Sequence, residues 1–378
     1  MNRQNIPGLP GLFIPPDPLL GATLAGKYKI ERLLGQGGMG SVYVATQLAV
    51  NRPVAVKVLR PVPGVSEAQL VERFKREALA TSTLHHPNTV QVIDFGQHDH
   101  APGHHMLYLV LELLKGGTLT RLLKAEAPLA PERVAAIGKQ IAKSLAEAHD
   151  LGIVHRDLKP DNVFICDYDH DPDFVKVMDF GIARLLTTDE HVTRTGMMIG
   201  TPRYMAPEQA MAKKVSPSAD IYSLGVILYE MLTGAPPFSA DSSMALALAH
   251  INEPPPPLLL PGYPEPQANA WRGLVAALLT KNHEARPQKA SQVAQWLQQL
   301  EYDARRNEPR NPTPVPTPAP AATPGYDPAT YSGPTSRQNI TVEQAMRARQ
   351  GPSKVVVWTA AALFMLLGGI VAFLLLRP

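Results

Sequence analysis

The sequence predicts an α+β fold over residues 27–300, then an extended linker and an apolar C-terminal segment. Three observations predict it. Strand-like and helix-like runs alternate from Lys27 to about Leu300. Proline, with 38 residues, is unevenly spread, and residues 303–353 are rich in Pro, Thr and Ala. Residues 355–376 carry no charged side chain. A hydrophobic content of 45% is enough for a sizeable core. The net charge of +3 gives no reason to expect nucleic-acid binding. A single cysteine, Cys166, excludes an intramolecular disulfide and suits a reducing compartment.

Residues 1–26, with PGLPGLFIPPDPLLG, read as an irregular, proline-punctuated lead-in. They lack the basic start, apolar core and cleavage site of a secretion signal. LLGQGGMGSVYVA (33–45) comes next, with Gly35, Gly37 and Gly40 spaced G-x-G-x-x-G. That triplet alone fits a dinucleotide site or a plain turn. The flanking YKIERLL and SVYVA are both strand-like, so the loop is a hairpin rather than a strand-to-helix turn. VAVK (54–57) then places Lys57 where a dinucleotide site would want an acid, which points to phosphate contact. SEAQLVERFKREALATSTL (66–84) has helical spacing, closed by the turn HHPNTV (85–90). Glu77 on that helix is the expected counter-ion of Lys57, with Glu67 and Glu72 as solvated charges. LYLVLELLKGG (107–117) reads as a buried strand running into a Gly-Gly turn. Such a segment joins two lobes and leaves backbone groups free to pair with an adenine edge.

HRDLKPDN (155–162) and DFG (179–181) bring Asp157, Lys159, Asn162 and Asp179 close together in sequence. One carboxylate can hold a proton and another a metal. The lysine and amide can hold phosphate oxygens and a second metal. That is the inventory of phosphoryl transfer, where positive charge and alignment matter more than covalent participation.

With GTPRYMAPE (200–208), DIYSLGVILYEMLTGAPPF (220–238) and Arg286-Pro287, these motifs occur in one order. In that order the sequence resembles the eukaryotic-like serine/threonine protein kinases, especially the bacterial branch, over about residues 27–300. The resemblance implies a two-lobed protein kinase fold. A small β-rich N-lobe (27–114) precedes a larger, mostly helical C-lobe (115–300). It also implies ATP and Mg²⁺ as cofactors. Gly35, Gly37, Gly38 and Gly40 would cover the phosphates, and Lys57, paired with Glu77, would hold the α- and β-phosphates. Leu34, Val42, Ala55 and Phe164 would sandwich adenine, Leu111 would be the gatekeeper, and Glu112 and Leu114 would bond adenine through their backbones. Asp157 would orient the substrate hydroxyl and accept its proton, while Lys159 would meet the γ-phosphate. Asn162 and Asp179 would bind magnesium. KPDN and Thr201 imply serine/threonine specificity. Thr193 and Thr195 match phosphorylated activation-loop threonines, with Arg156 docking the phosphate. Glu208 would pair with Arg286, and Asp220 would brace the HRD loop.

Two other stretches are read as structure. CDYDHDPDF (166–174) has acids at alternate positions, but Pro172 and Met178 stand where a calcium loop needs Gly and Glu, so it is a hairpin insertion. QHDHAPGHHM (97–106) lies between two strands and reads as a lengthened turn rather than a zinc clip.

Residues 301–354 form a Pro/Thr-rich juxtamembrane linker that cannot bury a core. At 1.5 Å per residue, 355–376 spans about 33 Å as a helix, enough for a bilayer core of about 30 Å. Arg347, Arg349 and Lys354 before the span place residues 1–354 in the cytoplasm. The expectation is a single-pass, tail-anchored cell-membrane protein with only residues 377–378 outside. The expected partners are protein substrates, the membrane, and a second copy through the kinase domain or the transmembrane helix. The rival functional readings are a catalytically weak membrane-bound scaffold and a docking protein using the prolines of 309–334.

Overall fold

The computed structural model describes residues 17–37, 40–59, 66–101, 104–168, 171–180 and 202–307. Six strands form the first sheet: β1 (Thr23–Leu24), β2 (Tyr28–Gly37), β3 (Gly40–Gln47), β4 (Arg52–Leu59), β5 (Val92–Ala101) and β6 (His104–Glu112). They are antiparallel in the order β1-β2-β3-β4-β6-β5. The period of two along a strand sorts their side chains to opposite faces. Val54, Val56 and Val58 of β4 join Tyr108 and Val110 of β6 in one core cluster. Ala55 joins Leu107, Leu109 and Leu111 in the other, against Leu70, Phe74 and Ala78 of helix α1 (Glu67–Ser82). Lys57 is in phase with Ala55 and therefore belongs to this second face. Ser66 caps α1 by accepting from Gln69 N–H, and the helix ends before the 85–90 turn, as its spacing predicts.

The irregular lead-in is corrected in its last third. Its prolines all precede Leu19, and residues 19–24 are ordered onto the sheet. Thr23 pairs with Lys29 in β1–β2, and Leu19 and Leu24 are buried in the small-lobe core. The Asp17 carboxylate accepts from Tyr43 O–H at 2.8 Å and from Leu19 N–H at 3.0 Å. The folded region therefore includes residues 17–26. Two buried leucines are enough to hold a segment that its proline content makes look irregular.

The second sheet, β7 (Gly116–Thr118), β8 (Val163–Tyr168) and β9 (Asp171–Val177), opens the large lobe. Around it stand α2 (Leu119–Glu126), α3 (Pro131–Asp150), α4 (Pro207–Ala210), α5 (Pro217–Thr233), α6 (Ser243–Asn252), α7 (Glu265–Leu278) and α8 (Ala290–Asn307). Helix α5 is buried at every residue from Ser218 to Leu232, as an all-round apolar helix must be, and stops at Gly234 with φ +82°. Helix α8 runs past the expected boundary at 300 because Leu300 and Ala304 are buried and Glu301 pairs with Lys139 of α3. The 166–174 stretch is the β8–β9 hairpin. Its Asp173 is held by Arg133 at 2.8 Å, which makes that acid a structural anchor. The His-rich stretch is the β5–β6 hairpin, where His98 Nδ1 accepts from Ala25 N–H.

Among the described residues no helix is long and apolar enough to cross a membrane. The expected linker beyond 307, the span 355–376 and the tail lie outside the described residues, as do Gly38, Thr193 and Thr195.

Candidate active site

The β2–β3 hairpin forms the roof. Gly40 has φ +147°, and a Cβ there would lie 2.0 Å from the Val58 carbonyl oxygen, so only glycine fits. A Cβ on Gly35 or Gly37 would meet nothing within 4 Å, and both residues are exposed. The fold therefore requires Gly40, whereas bare backbone at Gly35 and Gly37 leaves room for something to approach. Below them Val42 faces Lys57 across β3–β4, and Ala55 faces Leu111 across β4–β6. Ala55 and Leu111 are buried, Val42 and Leu114 are half-buried beside them, and Leu34 is exposed at the rim. Phe164, half-buried on β8, pairs with Thr118 and Lys176 in the lower sheet. Glu112 ends β6 opposite Val54.

Lys57 is 8% exposed at its side chain and donates to Asp179 Oδ1 at 2.7 Å. Among the described residues its ion pair is with Asp179 and not with Glu77, so the expected Lys57–Glu77 pair is corrected. Asp179 presents its carboxylate at hydrogen-bond distance and takes up one of the three ammonium protons. Glu77 stays on α1 with its carboxylate 3.9 Å from Arg76 Nε.

The catalytic loop is held from beneath. Arg156 has φ +67°, a strained value for a non-glycine residue that persists only when neighbours over-determine it. Its N–H donates to Asp220 Oδ1 at 2.8 Å, and its carbonyl accepts from Gln209 Nε2 at 2.8 Å. Asp220 Oδ2 accepts from His155 N–H and from His149 Nε2, each at 2.8 Å. Burial alone would push the Asp220 carboxyl up. The His149 hydrogen bond, the two nearby imidazoles and the His155 N–H outweigh it and hold the group below the usual carboxylate range. The bracing role expected of Asp220 is thus met geometrically. His149 and Gln209, which complete it, carry no local signal in the sequence.

Asp157 Oδ2 accepts from Lys159 Nζ at 2.6 Å and from Asn162 Nδ2 at 3.2 Å. Asn162 Nδ2 also donates to the Asp157 carbonyl at 2.7 Å, so its amide is fixed with the nitrogen toward Asp157. The two motifs are joined through His155. Its Nε2–H donates to the Met178 carbonyl at 2.8 Å, leaving Nδ1 to accept from Asp157 N–H at 3.4 Å. The Met178 N–H donates to the Asn162 carbonyl at 2.8 Å, and the Phe180 ring is buried 4.7 Å from the His155 ring. These contacts frame Asp179, whose φ is +64°. The structure therefore brings together Lys57, Asp157, Lys159, Asn162 and Asp179. Glu208 and Arg286 make the expected pair, and it is bidentate, at 2.7 and 2.8 Å, with almost no exposure.

Comparison with known proteins agrees with this arrangement. The protein kinase domain family matches residues 28–299. The chain belongs to the protein kinase family. Its kinase domain is similar to the serine/threonine-protein kinase pkn3 of Myxococcus xanthus, 41% identical over 296 residues, which are 77% of this chain and 53% of that protein. The serine/threonine-protein kinase PknA of Mycobacterium tuberculosis is 42% identical over 241 residues, covering 64% of this chain and 54% of that protein. The chain spans about half the length of these relatives. The crystal structure of the Mycobacterium tuberculosis PknI kinase domain superposes with a TM-score of 0.55 at 26% identity. It covers 74% of this chain and 98% of that one. The two-lobed kinase fold, β-rich then helical, is the fold of this chain.

Proposed function

We propose that the chain is an ATP-dependent serine/threonine protein kinase, transferring the γ-phosphate of ATP to protein hydroxyls. The observation that carries the reading is the setting of Asp157. Lys159 and Asn162 take up its Oδ2, and Oδ1 makes no hydrogen bond among the described residues. Oδ1 orients an incoming serine or threonine O–H and takes its proton as the oxygen attacks phosphorus. Lys159 Nζ, at 2.6 Å, holds the carboxylate in place for that role and offers positive charge to the transferring group. Lys57 offers a second cation from β4, and Gly35 and Gly37 offer backbone that can close over phosphates.

Magnesium, when bound, supplies charge neutralisation at phosphate oxygens. The residues fit it. The Asn162 side-chain nitrogen is committed to Asp157, so its side-chain oxygen Oδ1 faces the other way and makes no hydrogen bond among the described residues. Asp179 adds a carboxylate, and hard oxygen donors of this kind suit magnesium. Ala55, Val42, Leu111, Leu114 and Phe164 supply an apolar slot for adenine.

The reading extends to regulation and address. Thr193 and Thr195 are the proposed autophosphorylation sites, with Arg156 as the phosphate's partner. The uncharged run 355–376 is the proposed single membrane span, with residues 1–354 cytoplasmic and self-association through the kinase domain or the span. Phosphate incorporation into a protein acceptor tests the core claim. Wild type should transfer label, and Asp157→Asn should lose about 10²- to 10⁴-fold while remaining folded. Activity in Asp157→Asn within a few-fold of wild type would overturn the assignment.

A further inference from the structure

Among the described residues two ion pairs connect the lobes. One is Lys57–Asp179 in the candidate active site. In the other, Lys176 Nζ of β9 donates to Glu112 Oε1 at 2.7 Å, with side chains 11% and 27% exposed. The catalytic reading does not use this second pair. Its setting gives it a definite mechanical position.

Glu112 is the last residue of β6, where the small-lobe sheet gives way to the connection into the large lobe. Its carboxylate also accepts from Gln91 N–H at 2.9 Å, while its own N–H donates to the Gln91 carbonyl at 3.2 Å. Lys176 reaches a second acceptor, the Thr89 carbonyl, at 3.4 Å. Thr89 bridges to Val177, the next residue of β9, and Val90 N–H donates to the Val177 carbonyl at 2.9 Å. Across the lower sheet Lys176 is paired in register with Phe164, the expected floor under adenine. One ammonium thus ties the end of β6, the 89–91 segment and the strand under the nucleotide slot, and it does so from a site that is 8% exposed as a whole residue.

We propose that Lys176 is a positioning residue for nucleotide binding. Its pair with Glu112 pins the connection between the lobes in the orientation that presents the backbone of Glu112 and Leu114 to adenine. The proposal rests on the kinase reading given above. Neutral connections elsewhere between 88–90 and β9 hold the lobes together without it, so the pair's own share falls on the 112–114 backbone. A connection held by two charged hydrogen bonds is preorganised, and loosening it adds an ordering cost to adenine binding that chemistry at Asp157 does not feel.

The test separates KM from kcat in the full chain, with ATP and a protein acceptor. The variants are Lys176→Met, Glu112→Gln and the double substitution, each checked by thermal unfolding. Lys176→Met leaves Glu112 partly exposed and still bonded to Gln91, so it should fold. The expected result is KM for ATP raised about five- to twentyfold with kcat changed less than about threefold. The double variant should be no worse than Lys176→Met alone, because both remove one interaction. Lys176→Arg should recover most of the lost affinity. Hydrogen exchange should speed up at residues 111–114 in Lys176→Met. KM within twofold of wild type, a fall in kcat at constant KM, or a rise in activity would each overturn the proposal. The kinase reading would survive those outcomes; it fails separately if wild type itself transfers no phosphate.

Discussion

His250 makes the acid stability of the large lobe predictable. The ring lies on α6 with no exposed surface, 4.9 Å from the Phe238 ring. Lys281 Nζ donates to Tyr222 Oη at 3.4 Å and to the His250 carbonyl at 2.7 Å, and Tyr222 O–H passes on to His250 Nδ1 at 2.9 Å. A second proton on this imidazole would put N–H against a hydroxyl already aimed at it, beside a lysine. Burial first, and the Lys281 charge second, lower its pKa from 6.5 to about 4, with the Arg203 backbone offsetting part. Because the folded value is depressed, the unfolded chain binds the extra proton first. The contribution to stability is therefore whole above pH 6.5 and is lost as pH falls toward 4. Between about pH 7.5 and about pH 5 the loss is about 2 kcal/mol. His250→Asn keeps an acceptor for the Tyr222 hydroxyl and cannot titrate. Urea unfolding of wild type and variant at both pH values, followed by the buried Trp271, reads the difference. The wild type should lose about 2 kcal/mol more than the variant on acidification. Parallel losses, with the gap between the proteins unchanged by pH, would refute the reasoning.

Gly40→Ala should destabilise the small lobe and lower its unfolding temperature, since the new Cβ would meet the Val58 carbonyl. Gly35→Ala and Gly37→Ala should leave stability within about 0.5 kcal/mol and show their effect as weaker ATP binding. Arg286→Met leaves Glu208 buried without its bidentate partner and should cost about 3–5 kcal/mol by denaturant unfolding. Quantitative phosphopeptide measurement should find Thr193 and Thr195 more fully phosphorylated in membranes than in residues 1–353 at equal concentration, and equal occupancy would reduce the proposed span to an address.

The parts of the fold that were legible share one property: a local pattern decides them. Period two along 54–58 assigns Lys57 to the Ala55 face without any knowledge of the residues opposite. Strand character on both sides of Gly35–Gly40 makes a hairpin. The parts that were not legible depend on contacts between distant segments. Leu19 and Leu24 look like stray apolar residues among prolines until β2 supplies a pairing edge. Glu77 and Asp179 are both carboxylates within plausible reach of Lys57, and sequence spacing cannot rank them; three-dimensional distance gives the ion pair to Asp179. Gln209 and His149 lie 53 and 71 residues from the groups they bond, so nothing in their neighbourhoods announces them.

Those same distant contacts explain how the site can exist at all. Two non-glycine residues with positive φ, Arg156 and Asp179, flank the reacting groups, and each such conformation costs on the order of 1–3 kcal/mol. A loop exposed to water would relax out of both. Here Arg156 is clamped by Asp220 from the buried helix α5 and by Gln209 from α4. Asp179 is bounded by Met178, which both donates and accepts a hydrogen bond, and by Phe180, which is fully buried against His155. The strain is therefore carried by the large-lobe core, whose apolar burial far exceeds it. This division of labour predicts where damage should register. Substituting Asp157 removes chemistry and leaves the clamp intact. Asp220→Asn leaves every reacting side chain chemically unaltered but turns one acceptor oxygen into an NH2 donor, so either the Arg156 or the His155 N–H loses its partner, the loop can relax and Asp157 loses its aim. Asp220→Asn should therefore lower kcat with Asp157 itself unaltered, and hydrogen exchange should localise the loosening to residues 154–158.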